Sequence, residues 1–219
     1  LMLLIPVLRL LRKKVIYDVH EDVSLQIATK AYLAKWFRQG LAKLVQAFEF
    51  AMLRICSAVV VATPAIKKKY PKLPIVEVVQ NFPELKTQSP AAIEQEKRDY
   101  FIYVGAITPS RGLFQMIEAI EAVNQKKNAD LILVGKFANP AHLAQARRMA
   151  GWHYTDYRGW MANESARALM KNSVAGLSLL HPKSNYMEAY PTKLFEYMAE
   201  GIPSICSNIP LWSEIVSES

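Results

Sequence analysis

The chain has 219 residues, 52% of them hydrophobic and 21% charged, which excludes a disordered polypeptide and leaves room for one large domain or two smaller ones. Its formal charge of +8 turns the surface toward anionic partners, whether phosphorylated ligands, acidic membranes or nucleic acid. No apolar stretch reaches the roughly 18 residues of a membrane span, and Cys56 and Cys206 are too far apart for zinc or redox spacing, so free buried thiols in a reducing compartment are expected.

The opening run Leu1 to Leu11 is broken by Pro6 and Arg9 and lacks the basic leader and small-residue cleavage site of a signal peptide. A start on leucine in mid-pattern predicts a fragment. Lys14–Val19 reads as a strand that ends at His20-Glu21-Asp22. From about Leu25 to Ile55 the spacing of Leu33, Phe37, Leu41, Leu44, Phe48 and Met52 predicts one long helix with that face toward the core. Its other face carries Lys30, Lys35, Arg38 and Lys43 beside Trp36, either as a solvated basic face or as a dock for an anionic membrane.

Ser57–Ala62 and Ile75–Val79 read as further strands, and residues 81–99, with Pro83 and Pro90, break the pattern. A domain boundary is expected there. Beyond it, strands at Tyr100–Gly105, Asp130–Gly135, Trp152–Arg158 and Val174–Leu179 alternate with helices at Gly112–Lys126, Pro140–Ala150, Asn163–Lys171 and Pro191–Glu200. Such alternation predicts an α/β fold of parallel sheets covered by helices on both faces.

The segment Glu188-Ala-Tyr-Pro-Thr-Lys-Leu-Phe-Glu196-Tyr-Met-Ala-Glu-Gly201-Ile-Pro203 carries the densest chemistry. Pro191 suits the first turn of a helix and Gly201 its end. Thr192 and Lys193 then lie where backbone N–H groups lack partners and the macrodipole is positive, a ready anion site. Glu188 and Glu196 flank it, suited to accept hydrogen bonds from sugar and ribose hydroxyls. Upstream, Tyr103-Val-Gly105-Ala-Ile-Thr-Pro-Ser-Arg111-Gly112 brings backbone and a cation to the mouth of a strand-turn-helix, an arrangement equally at home in an ordinary connection.

The Glu-x7-Glu string with its Pro, apolar helix and Gly-x-Pro resembles the signature of the retaining glycosyltransferase family numbered four, of the "glycosyl transferases group 1" type. The resemblance implies the GT-B fold of two Rossmann-like parallel-sheet domains, here with the N-terminal one incomplete. Residues 1–85 would be the C-terminal portion of the N-terminal, acceptor-side domain, 86–98 the linker, and 99–219 a donor-binding domain lacking its final elements. By the same resemblance Arg111 clamps the donor diphosphate, while Gly105, Thr192, Lys193, Leu194 and Glu196 bind the donor and Glu196 holds the ribose. Glu188 meets the sugar hydroxyls and His20 faces the donor sugar, and these two are the catalytic candidates. The family commonly has an arginine directly after the strand-ending glycine, where this chain has Ala106, and Lys193 would supply part of that charge. Asn81-Phe-Pro83 resembles the turn before the family's linker, and Tyr157-Arg-Gly159-Trp160 the strand end near the donor base.

The implied function is retaining transfer of a sugar from a nucleoside-diphosphate sugar (UDP or GDP) to an acceptor hydroxyl, as in cell-surface glycan, polysaccharide or glycolipid synthesis. No Asp-x-Asp, zinc spacing, phosphate loop or G-x-S-x-G elbow occurs, so no metal and no cofactor is expected, the nucleotide sugar being a co-substrate. Expected partners are that donor, a glycan or lipid-linked acceptor, and an anionic membrane through the basic helix around 30–54, but not nucleic acid. The expected place is cytoplasmic, peripheral to the inner membrane face. The rivals are a sugar-nucleotide epimerase or phosphorylase on the same scaffold and a non-catalytic membrane-associated module.

Overall fold

The computed structural model describes residues 2–19, 23–28, 34–84, 100–181 and 190–217, with Lys35 described in its backbone only. They form two compact units, one built on Leu1–Asn81 and the other on Phe82–Pro182 with Pro191–Ser219. The linker expected at 86–98 lies outside the described residues.

The first unit runs α1 (Ile5–Leu10), β1 (Ile16–Val19), α2 (Val23–Ala28), α3 (Lys35–Arg54), β2 (Ala58–Val61), α4 (Pro64–Lys68) and β3 (Val76–Val78). Its strands form a parallel sheet in the order β1-β2-β3. Alternation in β2 sends Val59 and Val61 into a core shared with Val19, Val76, Ile5, Leu53, Ile66 and Leu73. Neither α1 nor α4 was expected. α4 has local signals of its own: Pro64 in its first turn and the Thr63 hydroxyl accepting from the Ile66 N–H at 3.2 Å.

The long helix expected from Leu25 to Ile55 is two helices, with Ala34 extended (φ −56°, ψ 138°) before α3. Of the expected core face, Met52 packs against the core and Leu41 is half-buried, while Leu33 lies outside the described residues. Phe37, Leu44 and Phe48 are exposed, Leu44 by 68%, while Ala42, Glu49 and Leu53 are buried. Ranking positions by bulk favoured the Phe and Leu stripe. The adjacent stripe places Leu53 in the core and tolerates its glutamate because Tyr70 donates a hydrogen bond to the Glu49 carboxylate, offsetting part of the cost of burying it.

The second unit contains β4 (Tyr100–Val104), α5 (Leu113–Asn124), β5 (Asp130–Val134), α6 (Pro140–Ala146), β6 (Thr155–Gly159), α7 (Asn163–Lys171), β7 (Ala175–Ser178), α8 (Thr192–Ala199), β8 (Ser204–Cys206) and α9 (Pro210–Ser217). All five strands are parallel, in the order β6-β5-β4-β7-β8. Side-chain alternation divides the core between the faces. Tyr103, Leu131 and Leu133 pack with Leu113, Met116, Ile117 and Ile120 of α5 on one side. Ile102, Ile132 and Val134 pack with Met170 of α7 and Tyr197 of α8 on the other. The fold is thus mixed α/β with parallel, Rossmann-like sheets, as expected.

Three details depart from expectation. The strand foreseen over Trp152–Arg158 begins only at Thr155, because Ala150–Tyr154 winds into a 3-10 helix that brings Gly151 against the Ile117 carbonyl, too close for any β-carbon. The edge strand β8 and the helix α9, with Trp212 buried, were not foreseen. Of the two free cysteines Cys56 is buried, but Cys206 on the edge strand is only half-buried.

Candidate functional site

In chain order the second unit's strands run 3-2-1-4-5, so connections leave the sheet in opposite directions from β4 and β7. This reversal opens a crevice at the carboxyl ends of those two strands, where doubly wound sheets bind ligands. The turn after β4 and the first turn of α8 both lie at this end.

The turn after β4 starts at Gly105 (φ +140°), whose N–H bonds the Val134 carbonyl at 2.8 Å. It runs on beside β5, Ile107 pairing with Phe137. Gly135 at the end of β5 has φ +142°, and the Gly105 carbonyl fills the place of its missing β-carbon; backbones this close admit only glycine. Tyr103 on β4 is fully buried, and its hydroxyl reaches forward to donate to the Ala106 carbonyl at 2.8 Å, bracing the turn. Pro109–Arg111 then forms one 3-10 turn, and Gly112 (φ +71°), packed on Leu179 beyond β7, starts α5. Arg111 is therefore held, half-buried, at the boundary between the β4 and β7 connections.

α8 begins at Thr192 with Pro191 as its N-cap, one residue later than expected, and Gly201 (φ +70°) follows its end as expected. The first intrahelical bond runs from the Phe195 N–H to the Pro191 carbonyl at 3.2 Å, and proline has no side-chain acceptor. The N–H groups of Thr192, Lys193 and Leu194 accordingly have no partner within the helix. Leu194 is fully buried, so its backbone is all it can offer a ligand, while Thr192 is exposed and Glu196 half-buried. Tyr197, wholly buried, donates to the Leu177 carbonyl at 3.1 Å and lays its ring where a β-carbon of Gly176 would be, which keys α8 onto β7.

Lys193 crosses the crevice. Its ammonium lies 5.6 Å from the centre of the Tyr103 ring and fills the space above Gly105. Loss of water pushes its pKa below the ordinary lysine value, nearby Arg111 pushes it further down, and Glu196 pulls it back. The structure thus brings together Gly105, Arg111, Lys193, Glu196 and the first turn of α8. Candidate residues Glu188 and His20 lie outside the described residues, as do Glu21 and Asp22. No cluster of His, Cys, Asp and Glu fit for a metal ion occurs among the described residues.

Two neighbours of the site escaped sequence reading. Ser207, just after β8, binds Leu180 twice at 2.9 Å, donating to its carbonyl and accepting from its N–H. His181 donates its backbone N–H to the Ser110 carbonyl at 2.9 Å and sets its ring 3.3 Å from Gln115. Both tie the end of β7 to its surroundings, and no local pattern marks either one. At the rim, Trp160 after β6 is 70% exposed, Tyr157 donates to the Gly135 carbonyl at 3.2 Å, and Phe82 meets Phe195 edge-on with ring centres 4.9 Å apart.

Residues 86–219, more than half of the chain, match the family of glycosyl transferases group 1. The chain belongs to this family. The fold also matches solved glycosyltransferase structures. HepE of Anabaena in complex with UDP superposes with a TM-score of 0.68 at 15% identity, over 98% of this chain and 58% of that one. WaaG, a glycosyltransferase of lipopolysaccharide biosynthesis, gives 0.66 at 16% identity over 93% and 59%. Sucrose-phosphate synthase from Thermosynechococcus elongatus gives 0.61 at 18% identity over 95% and 54%. This chain therefore spans between half and three-fifths of the length of these relatives. No curated protein matches it.

Proposed function

We propose that this chain is the donor-binding half, with part of the acceptor-side half, of a retaining family-four glycosyltransferase that takes a nucleoside-diphosphate sugar. The observation that carries the reading is the convergence of Arg111, Lys193 and the N–H groups of Thr192, Lys193 and Leu194, which have no partner within the helix, at the switch point, with Glu196 one turn further along α8. Two cations and a helix start aimed at one place suit a diphosphate, and the stabilisation of developing charge on such a leaving group dominates this kind of chemistry. HepE was solved with UDP and with UDP-glucose, which favours a uridine nucleotide as the first to try.

In the proposed reaction the anomeric C–O bond to the diphosphate breaks and a new bond to the acceptor oxygen forms on the same face. The acceptor proton passes to the leaving phosphate, so no protein nucleophile is assigned. Glu196 accepts hydrogen bonds from the ribose hydroxyls. Glu188 and His20 are proposed to meet the sugar hydroxyls. No metal is required, because Arg111 and Lys193 supply the positive charge. The product is a cell-surface glycan, polysaccharide or glycolipid made in the cytoplasm.

A thermal-shift screen of UDP, GDP and their sugars on the protein tests the reading, with Arg111→Ala and Glu196→Ala as controls. A bound nucleotide at ~100 times its Kd stabilises by about 2.7 kcal/mol, and each variant should diminish that shift. If no nucleotide raises the melting temperature, the donor site is misassigned.

A membrane role for the first unit rests on a separate observation. α3 exposes Trp36 (78%), Phe37, Leu44 and Phe48 together with Lys43 and Arg54, a mixture of apolar and basic side chains that suits the interface of an anionic bilayer. No described helix is long and apolar enough to cross a membrane. Co-sedimentation with phosphatidylglycerol vesicles, lost on Trp36→Ala with Leu44→Ser and absent with phosphatidylcholine alone, is the expected result; equal binding by the double variant refutes this reading.

A further inference from the structure

We infer that Ser207, the residue after β8, is a positioning residue for Arg111: it orients the peptide group that holds the turn on which Arg111 stands. What Arg111 binds rests on the donor-site reading; the control of that cation by a side chain on the far side of β7 goes beyond it.

Ser207 is itself firmly rooted. Its N–H donates to the Ser178 carbonyl at 3.2 Å, carrying the β7–β8 ladder one residue past Cys206, and its carbonyl accepts from the Ile209 N–H at 2.8 Å. From there the hydroxyl uses both of its capacities on one residue. Oγ accepts from the Leu180 N–H and donates to the Leu180 carbonyl, each at 2.9 Å.

The Leu180 carbonyl and the His181 N–H belong to one planar trans peptide group and point to opposite sides of it. Ser207 holds one side. On the other, the His181 N–H donates to the Ser110 carbonyl at 2.9 Å. The next peptide group repeats the pattern, since the Ser110 carbonyl shares its plane with the Arg111 N–H, which donates to the Thr108 carbonyl at 3.0 Å. One hydroxyl and two peptide planes thus form a run of hydrogen bonds from the end of β8, across the exit of β7, to the turn after β4, each bond polarising the next.

The turn needs such support. Pro109–Arg111 is a single 3-10 turn, too short to persist on its own bonds. The Thr108 and Pro109 carbonyls accept from within it, from the Arg111 and Gly112 N–H groups at 3.0 Å each, whereas the Ser110 carbonyl faces outward to His181. Packing of Gly112 on Leu179 sets how near the turn comes to β7. The Ser110 bond sets how the turn is rotated, and that rotation aims the Arg111 side chain. Alanine at 207 takes the Ser207 hydroxyl away from the Leu180 carbonyl and lets its peptide group turn, so the bond to Ser110 loses its direction; threonine keeps the hydroxyl.

Amide exchange on the wild type, Ser207→Ala and Ser207→Thr, together with calorimetric titration of UDP and GDP into the same proteins with and without Arg111→Ala, tests the assignment. Expected in Ser207→Ala is faster exchange at His181 and Arg111, with no change at Ile107, whose N–H bonds the Lys136 carbonyl instead. Affinity for the nucleotide that binds should fall by about threefold to tenfold. Ser207→Thr should restore both. In the Arg111→Ala background, Ser207→Ala should weaken binding by less than about twofold more, because the residue it aims is gone, while its loss of melting temperature is the same in both backgrounds. A residue that merely staples a loop would lower stability without this dependence on Arg111. Unchanged exchange at Arg111, wild-type affinity in Ser207→Ala, or an equal loss of affinity with and without Arg111 overturns the assignment. If neither nucleotide binds the wild type, or Arg111→Ala binds as tightly as the wild type, the donor-site reading fails instead, and exchange at Arg111 still decides whether Ser207 governs the turn. Should Ser207→Ala not fold, Ser207→Cys, similar in size but a weak donor, takes its place.

Discussion

Removing Arg167 should cost the second unit more than removing the glutamate it serves. Glu200 follows the last residue of α8, where the macrodipole is already negative, and its side chain is only 1% exposed. It persists there because α7 supplies two cations: the Arg167 Nε–H donates to Oε1, and the Lys171 ammonium stands 3.7 Å from Oε2, which has no hydrogen bond of its own. Breaking a buried pair by deleting one partner costs about 3–5 kcal/mol, because the remaining charge is stranded. Lys171 keeps part of that in hand, so Arg167→Met is expected to lose about 2–3 kcal/mol. Adding Glu200→Gln to Arg167→Met removes the stranded charge and should restore at least half of the loss. Guanidinium unfolding followed by tryptophan fluorescence measures both, read from the midpoint at constant slope. A loss below about 1 kcal/mol for Arg167→Met, or a double variant no more stable than the single, would show that the pair is a surface contact of the ordinary weak kind.

Gly176→Ala places a methyl group inside the Tyr197 ring and should cost about 1–3 kcal/mol while shifting α8, so both the melting temperature and any UDP-induced shift should fall; a Tyr197 that rotates aside without loss contradicts this. Glu49 is titrated differently in the folded chain. Burial raises its carboxyl above the unfolded value of about 4.3, so the contribution of this group to stability is fully present below that pH and is lost as pH rises through the folded value. Glu49→Gln, which can still accept from Tyr70, should flatten this dependence in denaturation curves taken between about pH 4 and 8, and an unchanged slope would place the charge elsewhere. Ser207→Ala removes both bonds to Leu180 and should cost about 1–2 kcal/mol, with faster amide exchange at Leu180 as the local reading.

The strands of the second unit were legible because a parallel sheet covered on both faces writes itself as short apolar runs, such as Tyr100–Val104 and Asp130–Val134. Short edge elements do not. Ser204–Cys206 has three residues, half-buried or exposed, and Pro203 before it hides the run. The face of α3 was misread for a different reason: periodicity ranks side chains by bulk, whereas burial of Glu49 depends on a tyrosine twenty-one residues away in sequence. In the candidate site, Pro191, Gly201 and Arg111 carry local signals of helix start, helix end and strand exit. The seat of Lys193 carries none, since it depends on β4 and β7 being neighbours, a fact of strand order rather than of spacing.

That strand order also explains why the two cations can coexist. Arg111 approaches on the connection leaving β4 and Lys193 on the helix following β7; these are packed together through Gly112 on Leu179 and through Tyr197 on Gly176. The backbones that carry the two cations are held by these close approaches, which keeps both side chains rooted at the same crevice. Their mutual repulsion is therefore built in by packing whose stability comes from apolar contact elsewhere, in the cores beneath α5 and α8. A flexible loop carrying the same residues would relax by swinging one charge into water and would have little left to offer an anion. Rooted at one crevice, the pair directs a positive potential at it, and under the proposed donor reading a diphosphate would meet in Lys193 a cation that burial has already stripped of much of its water.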